Sequence, residues 1–232
     1  MSSRRFQRAF TLVELLVVIG IIAVLLTILI PVVGRARESS KQTQCMSNLR
    51  QLGNAVLSYA ISNEDHYPFA AWYVGPQYND WIAWEQPTRS LNQSALSKYL
   101  GTPVRAEVLT CPSDDVTNRV RASGYGPYKY SYVMNYLLSE KNMHTVKSPT
   151  QKAIFYEEDE RTIDDGYGTP EPGGSINMLA IRHDRSRKQP DDTTTALTLN
   201  GSCRGNAAFC DGHAEYVTRN SFHSQATYDP AY

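Results

Sequence analysis

The sequence predicts an α+β fold in which one long N-terminal helix, its first half spanning a membrane, packs through its second half on a small antiparallel β-sheet. Three observations predict it. An apolar block runs from Leu15 to Val33, and an apolar stripe at helical spacing continues it through Cys45, Leu49, Leu52, Val56 and Ala60. Short strand-like runs bounded by turn residues then fill the remainder and end on a hairpin around Asp211-Gly212. The 232 residues leave room for one globular domain beside such an anchor. Lys+Arg and Asp+Glu are equal at 23 each, so no charge excess argues for a nucleic-acid partner. The mean hydropathy of −0.42 is that of a soluble protein, an average that conceals the apolar block.

Taken in order, the block Leu15–Val33 has the length of helix that crosses a ~30 Å hydrocarbon core at ~1.5 Å per residue. The chain runs on as Gly34-Arg35-Ala36-Arg37-Glu38 with no small-x-small site, which disfavours ordinary signal-peptidase cleavage. Arg4, Arg5 and Arg8 ahead of the block favour a cytoplasmic N terminus, although Arg35, Arg37 and Lys41 nearly balance them at the other end. Glu14 is the acid within this apolar context, and near a bilayer centre its charge costs on the order of 3 kcal/mol. Two readings stand: a helix-start acid that complements the macrodipole and snorkels to the headgroups, or a group held for a partner. Pro31, lacking an N–H, predicts a kink or local melting.

The stretch Arg8-Ala9-Phe10-Thr11-Leu12-Val13-Glu14-Leu15-Leu16 resembles the class III signal of type IV pilins and type II secretion pseudopilins. The resemblance implies that a prepilin peptidase on the cytoplasmic face cuts between Ala9 and Phe10 and N-methylates the new Phe10 amine. Glu14 then falls at the fifth mature position, where the family keeps a Glu for assembly, and Pro31 falls where the family tends to keep a Pro. Ala9 replaces the usual Gly before the cut, a departure that retains small size. By this resemblance the chain is a structural subunit, not an enzyme, of a type II secretion-like pseudopilus. It polymerises with other pseudopilin subunits on an inner-membrane secretion platform, with its C-terminal domain in the periplasm. A type IV pilin for adhesion or motility, or a membrane-anchored binding domain that borrows prepilin processing, are the alternatives.

The resulting division is a cleaved basic leader at 1–9, a membrane and assembly helix at 10–34, its amphipathic continuation at 35–62 and a globular domain at 63–232, the lollipop layout of pilins. A single helix from about Thr11 to Ser62 is roughly 75 Å long at ~1.5 Å per residue. Beyond it, Trp72, Trp81 and Trp84 lie in a loop region, and Ser94–Leu100 closed by Gly101 reads as a short helix with its C-cap. Strand-like runs occupy Lys129–Leu137, Ala153–Glu157, Asn177–Ile181 and Thr194–Leu199. Asn206–Cys210 and His213–Val217 flank Asp211-Gly212, the dipeptide of a two-residue type I′ turn. Glu157–Ser175, acidic and then rich in Gly and Pro, reads as a surface loop.

More narrowly, Cys45-Met-Ser-Asn-Leu-Arg-Gln, Cys111-Pro-Ser-Asp, Ser131-Tyr-Val-Met-Asn, Arg182-His183 and Phe209-Cys-Asp-Gly-His213 resemble prepilin-type processing-associated His-X9-Asp-Gly proteins. Here His183 and Asp211 are separated by far more than nine residues. His183, Asp184, Asp211 and His213 are candidate metal ligands if they converge, against a turn role for Asp211 and a backbone hydrogen bond for His183. Asp159, Asp164 and Asp165 are candidates for Ca²⁺, the one cofactor considered, although their spacing matches no clear calcium loop. The four cysteines, Cys45, Cys111, Cys203 and Cys210, lack zinc-ribbon or thioredoxin spacing, so no cysteine metal site is expected. Disulfides are chemically open to them outside the cytoplasm, with the pairing undetermined. No Gly-x-Ser-x-Gly elbow or phosphate loop occurs.

Overall fold

A computed structural model describes residues 12–72, 75, 77–84, 89–119, 127–170, 177–188 and 200–232. Its contacts divide the chain into two compact units, residues 1–40 and 41–232. Helix α1, Leu12–Ser62, begins in the first and ends in the second. In the first unit the large apolar side chains from Leu12 to Val33 are exposed on all sides of the helix. A helix apolar all round is matched to hydrocarbon, where every backbone polar group must be satisfied within the segment. The helix is unbroken through Pro31, so the expected local melting is not seen. One turn before it, the Thr27 hydroxyl donates to the Ala23 carbonyl at 2.8 Å.

In the second unit the stripe behaves as its spacing predicts: Cys45, Leu49, Leu52, Val56 and Ala60 are all fully buried. Burying Leu49, Leu52 and Val56 contributes about 1.5–3 kcal/mol each. The helix ends where Ala60 accepts hydrogen bonds from both Asn63 and Asp65, with Glu64 and Asp65 turned to positive φ.

The stripe lies on a sheet of five strands: β1 Tyr132–Asn135, β2 Ala153–Glu157, β3 Tyr167–Gly168, β4 Arg204–Phe209 and β5 Ala214–Thr218, in the order β3-β1-β2-β4-β5. The sheet is mixed rather than purely antiparallel, because the two-residue edge strand β3 runs parallel to β1. Strands β1 and β2 are buried at every position, which requires cover on both faces. Successive residues supply it: Phe155 meets Trp81 at 4.8 Å between ring centroids, and Tyr156 meets Phe222 at 4.8 Å. Phe222 belongs to the short helix α3, Arg219–Phe222, which follows the short helix α2, Ser97–Leu100, and precedes α4, Gln225–Tyr228. On the Phe155 face the Tyr132 hydroxyl reaches the Cys45 carbonyl at 3.5 Å, and the Asn48 amide donates to that hydroxyl at 3.3 Å.

A disulfide joins Cys45 of α1 to Cys111, while Cys203 and Cys210 are free and buried. Closing a loop 66 residues long is worth about 4 kcal/mol by chain entropy. Gly101, at φ 94°, caps α2 as expected.

Several sequence expectations are corrected. The β4–β5 connection is a three-residue loop, since Phe209 N–H bonds the His213 carbonyl and Gly212 N–H bonds Phe209. Of the Asp-Gly pair only Gly212 has positive φ, 90°, which fits a type I turn with a glycine bulge rather than type I′. Asn177–Ile181 makes one antiparallel bridge, Leu179 to Glu158, through Asp159 N–H to the Met178 carbonyl and Ala180 N–H to the Glu157 carbonyl, and is no strand; the outward Leu179 N–H donates to His223 Nε2 and its carbonyl accepts from Arg219 Nε. The strand expected at Lys129–Leu137 is confined to Tyr132–Asn135, where the Asn135 side chain caps the next turn at Leu137 N–H. Glu157, Glu158, Asp159 and Asp165 are buried, so the acidic half of the expected surface loop packs inside. The run Thr194–Leu199 lies outside the described residues.

Candidate functional site

Ala9 and Phe10 lie outside the described residues. Glu14 stands in the first turn of α1, exposed on this chain and surrounded by the exposed apolar side chains of Leu12, Val13, Leu15 and Leu16. Among the described residues α1 is the one helix long and apolar enough to cross a membrane.

The metal candidates read from the sequence do not gather. Asp211 and His213 form a local pair at the β4–β5 tip, His213 Nδ1 lying 2.5 Å from Asp211 Oδ1, and the same Asp211 oxygen accepts the His213 N–H. The His213 ring stacks on Phe209 at 4.5 Å. Asp184 accepts the Arg204 N–H at 2.7 Å. Asp159 is held by Arg161 at 2.6 Å and Arg219 at 3.0 Å, and Asp165 accepts the Tyr167 N–H at 2.9 Å. Asp159, Asp164 and Asp165 form no convergent ligand group among the described residues.

His183 sits elsewhere, in a buried group that the sequence reading did not assemble. Its Nε2 lies 3.3 Å from Cys111 Sγ and 3.6 Å from Glu157 Oε2. The ligand-type atoms of Cys45, Cys111, Glu157 and His183 all fall within 4.8 Å of one another. Each is placed by a different element: Cys45 by the α1 stripe, Glu157 by the end of β2, Cys111 by a loop whose N–H donates to Ser131 Oγ at 2.9 Å. His183 follows Arg182, whose guanidinium donates to the Glu158 carbonyl at 2.7 Å and pairs with Asp114 at 2.9 Å. Burial works to lower the Arg182 pKa, but the charges of Asp114 and Glu157 outweigh it and hold the guanidinium protonated. A signal for this group was present, since Cys45, Cys111 and His183 each fall in a separate motif fragment, yet no spacing rule links residues so far apart.

One comparison decides the N-terminal segment. Residues 4–30 match the Prokaryotic N-terminal methylation motif. The matched segment contains Ala9, Phe10 and Glu14 and stops one residue short of Pro31. This segment is similar to the N-terminal methylation motif of prepilin-type proteins, and together with the apolar helix it is consistent with a pseudopilin- or type IV pilin-like protein. The motif implies processing by a prepilin peptidase and assembly into pilus-like polymers, and with the apolar helix it points to membrane anchoring. No curated protein and no solved structure matches the chain.

Proposed function

We propose that this protein is a pseudopilin, a structural subunit of a type II secretion-like pseudopilus in the bacterial inner membrane. The observation that carries the reading is the coincidence of the methylation motif with a helix apolar on every side up to Val33, interrupted near its start by Glu14. A cytoplasmic basic leader at residues 1–9 is removed, Phe10 is N-methylated, and the domain beyond the span is periplasmic. In a fibre the apolar half of α1 leaves lipid and packs against the same segment of neighbouring subunits, where close side-chain packing rather than hydrophobic burial holds the helices together. Glu14 then faces a neighbouring subunit's Phe10 amine, and Pro31 marks where the helix yields during extraction. The partners are prepilin peptidase, other pseudopilins and the inner-membrane platform.

Intact-mass analysis of the membrane-extracted protein tests the reading. The expected species lacks residues 1–9 and carries one added methyl group. An intact Met1, or a new N terminus after Val33, rejects it.

A further inference from the structure

The group around His183 has the composition and reach of a closed metal site. Two sulfurs, one imidazole and one carboxylate approach from four separate segments of the globular unit. Cys45, Cys111 and Glu157 are fully buried and His183 is 7% exposed. A tetrahedron built on zinc–ligand bonds of about 2.0–2.3 Å has edges of about 3.3–3.8 Å. His183 Nε2 already stands 3.3 Å from Cys111 Sγ and 3.6 Å from Glu157 Oε2, two of those edges.

Glu157 supplies the second, independent observation. Its Oε1 accepts from the Asn206 amide at 2.8 Å, which orients the carboxylate, whereas its fully buried Oε2, 3.6 Å from His183 Nε2, has no hydrogen-bond partner among the described residues. A buried carboxylate oxygen left so is costly, and a cation satisfies it.

We propose that the dithiol form of this chain binds one Zn²⁺ through Cys45 Sγ, Cys111 Sγ, His183 Nε2 and Glu157 Oε2. Soft sulfur with imidazole and carboxylate in a closed four-coordinate shell suits Zn²⁺ over Ca²⁺ or Mg²⁺. Two thiolates and a carboxylate carry three negative charges, the ion leaves one, and Arg182 next in sequence offsets it. Asn206 holds the carboxylate as an outer-shell partner. The disulfide seen in the structure and the zinc site use the same sulfur atoms and exclude each other. Closing the disulfide from the zinc-bound dithiolate releases Zn²⁺ and passes two electrons to an external disulfide, which leaves as two thiolates that take up protons from water. Metal content therefore reports the redox state of Cys45 and Cys111. This inference is independent of the pseudopilin reading, since it concerns residues of the globular unit alone.

The full chain in detergent provides the test. One sample is reduced with a water-soluble phosphine, which takes up the oxygen of water as the disulfide opens to two thiols; the other stays oxidised. Both receive excess Zn²⁺, are desalted, and are assayed by elemental mass spectrometry. One zinc per chain in the reduced sample and none in the oxidised one is expected. Glu157→Gln, which keeps the volume and the acceptor for Asn206, is expected to weaken zinc binding about tenfold or more, and Cys111→Ser to abolish it. Co²⁺ added to the reduced wild-type chain should give a thiolate charge-transfer band with strong tetrahedral bands, a signature that needs no variant to fold. Absence of retained zinc in the reduced protein, zinc undiminished in Cys111→Ser, or a Co²⁺ spectrum without thiolate charge transfer overturns the proposal.

Discussion

Gly205 of β4 lies directly against the Ala180 carbonyl: a Cβ on Gly205 would stand 2.0 Å from that oxygen and 2.7 Å from Leu179 Cγ. The Asn177–Ile181 segment is fixed there by Arg219 and His223, so it cannot retreat cheaply. Gly205→Ala is therefore expected to destabilise the globular unit by about 1–3 kcal/mol, the usual cost of overpacking. Gly34, inside α1 with nothing within 4 Å of its would-be Cβ, is the control, and Gly34→Ala should not lower the melt. Thermal unfolding of the two variants in detergent checks this, and a Gly205→Ala melt equal to wild type would contradict the packing.

Asp114 is shared by two guanidinium groups, Arg119 at 2.6 Å and Arg182 at 2.9 Å, with all three side chains at most 5% exposed. Removing the acid takes away the carboxylate that the two buried guanidinium groups share and leaves Arg182 with the more distant Glu160, at 3.6 Å. Asp114→Asn is expected to cost about 3–5 kcal/mol, more than an exposed ion pair could. Chemical denaturation measures it; a loss under about 1 kcal/mol would mean that water reaches the pair.

How much of this was readable in the sequence depends on the range of the interaction. The α1 stripe was legible residue by residue, because helical spacing alone decides which side chains share a face. The hairpin was legible but its loop length was not, since an Asp-Gly pair serves type I′ turns and glycine bulges alike. Asn177–Ile181 has strand composition but pairs at a single bridge, and Arg219 and His223, some forty residues on, take the outward polar groups of Leu179. The burial of Glu157, Glu158 and Asp159 was hidden for the same reason, as Arg182, Arg219 and Asn206 come from elsewhere in the chain. The Cys45–Cys111 pairing and its approach to His183 are products of the assembled fold.

Cys210, 3% exposed beside Tyr67, should be inert in the folded chain. Burial pushes its thiol up to about 12, the Tyr67 hydrogen bond opposing only in part. Against an ordinary thiol near ~8.5, that lowers the thiolate fraction at neutral pH by about three powers of ten. Alkylation at pH 8 followed by peptide mapping is expected to leave Cys210 unmodified until denaturant is added. Rapid labelling of Cys210 in the native state would show the β4–β5 turn opening away from α1.

On the proposed reading, Glu14 acts in assembly. In a processed subunit it would lie four residues from the free amine of Phe10, in a bundle of low dielectric. A carboxylate there is costly, and attraction to a neighbouring subunit's amine recovers that cost only when two helices are staggered by the matching rise. On the proposed reading, the pair sets register more than stability. Glu14→Gln is expected to leave insertion and cleavage intact while abolishing incorporation into fibres. Because removing an acid eases insertion of an apolar helix, an assembly defect cannot be assigned to failed anchoring. Cysteine pairs placed along the exposed half of α1 would report the register by cross-linking. Wild-type cross-link ladders and normal fibres from Glu14→Gln subunits would remove Glu14 from the assembly step, whereas loss of the ladder with unchanged membrane content places the charge pair at the point where one subunit docks on the next.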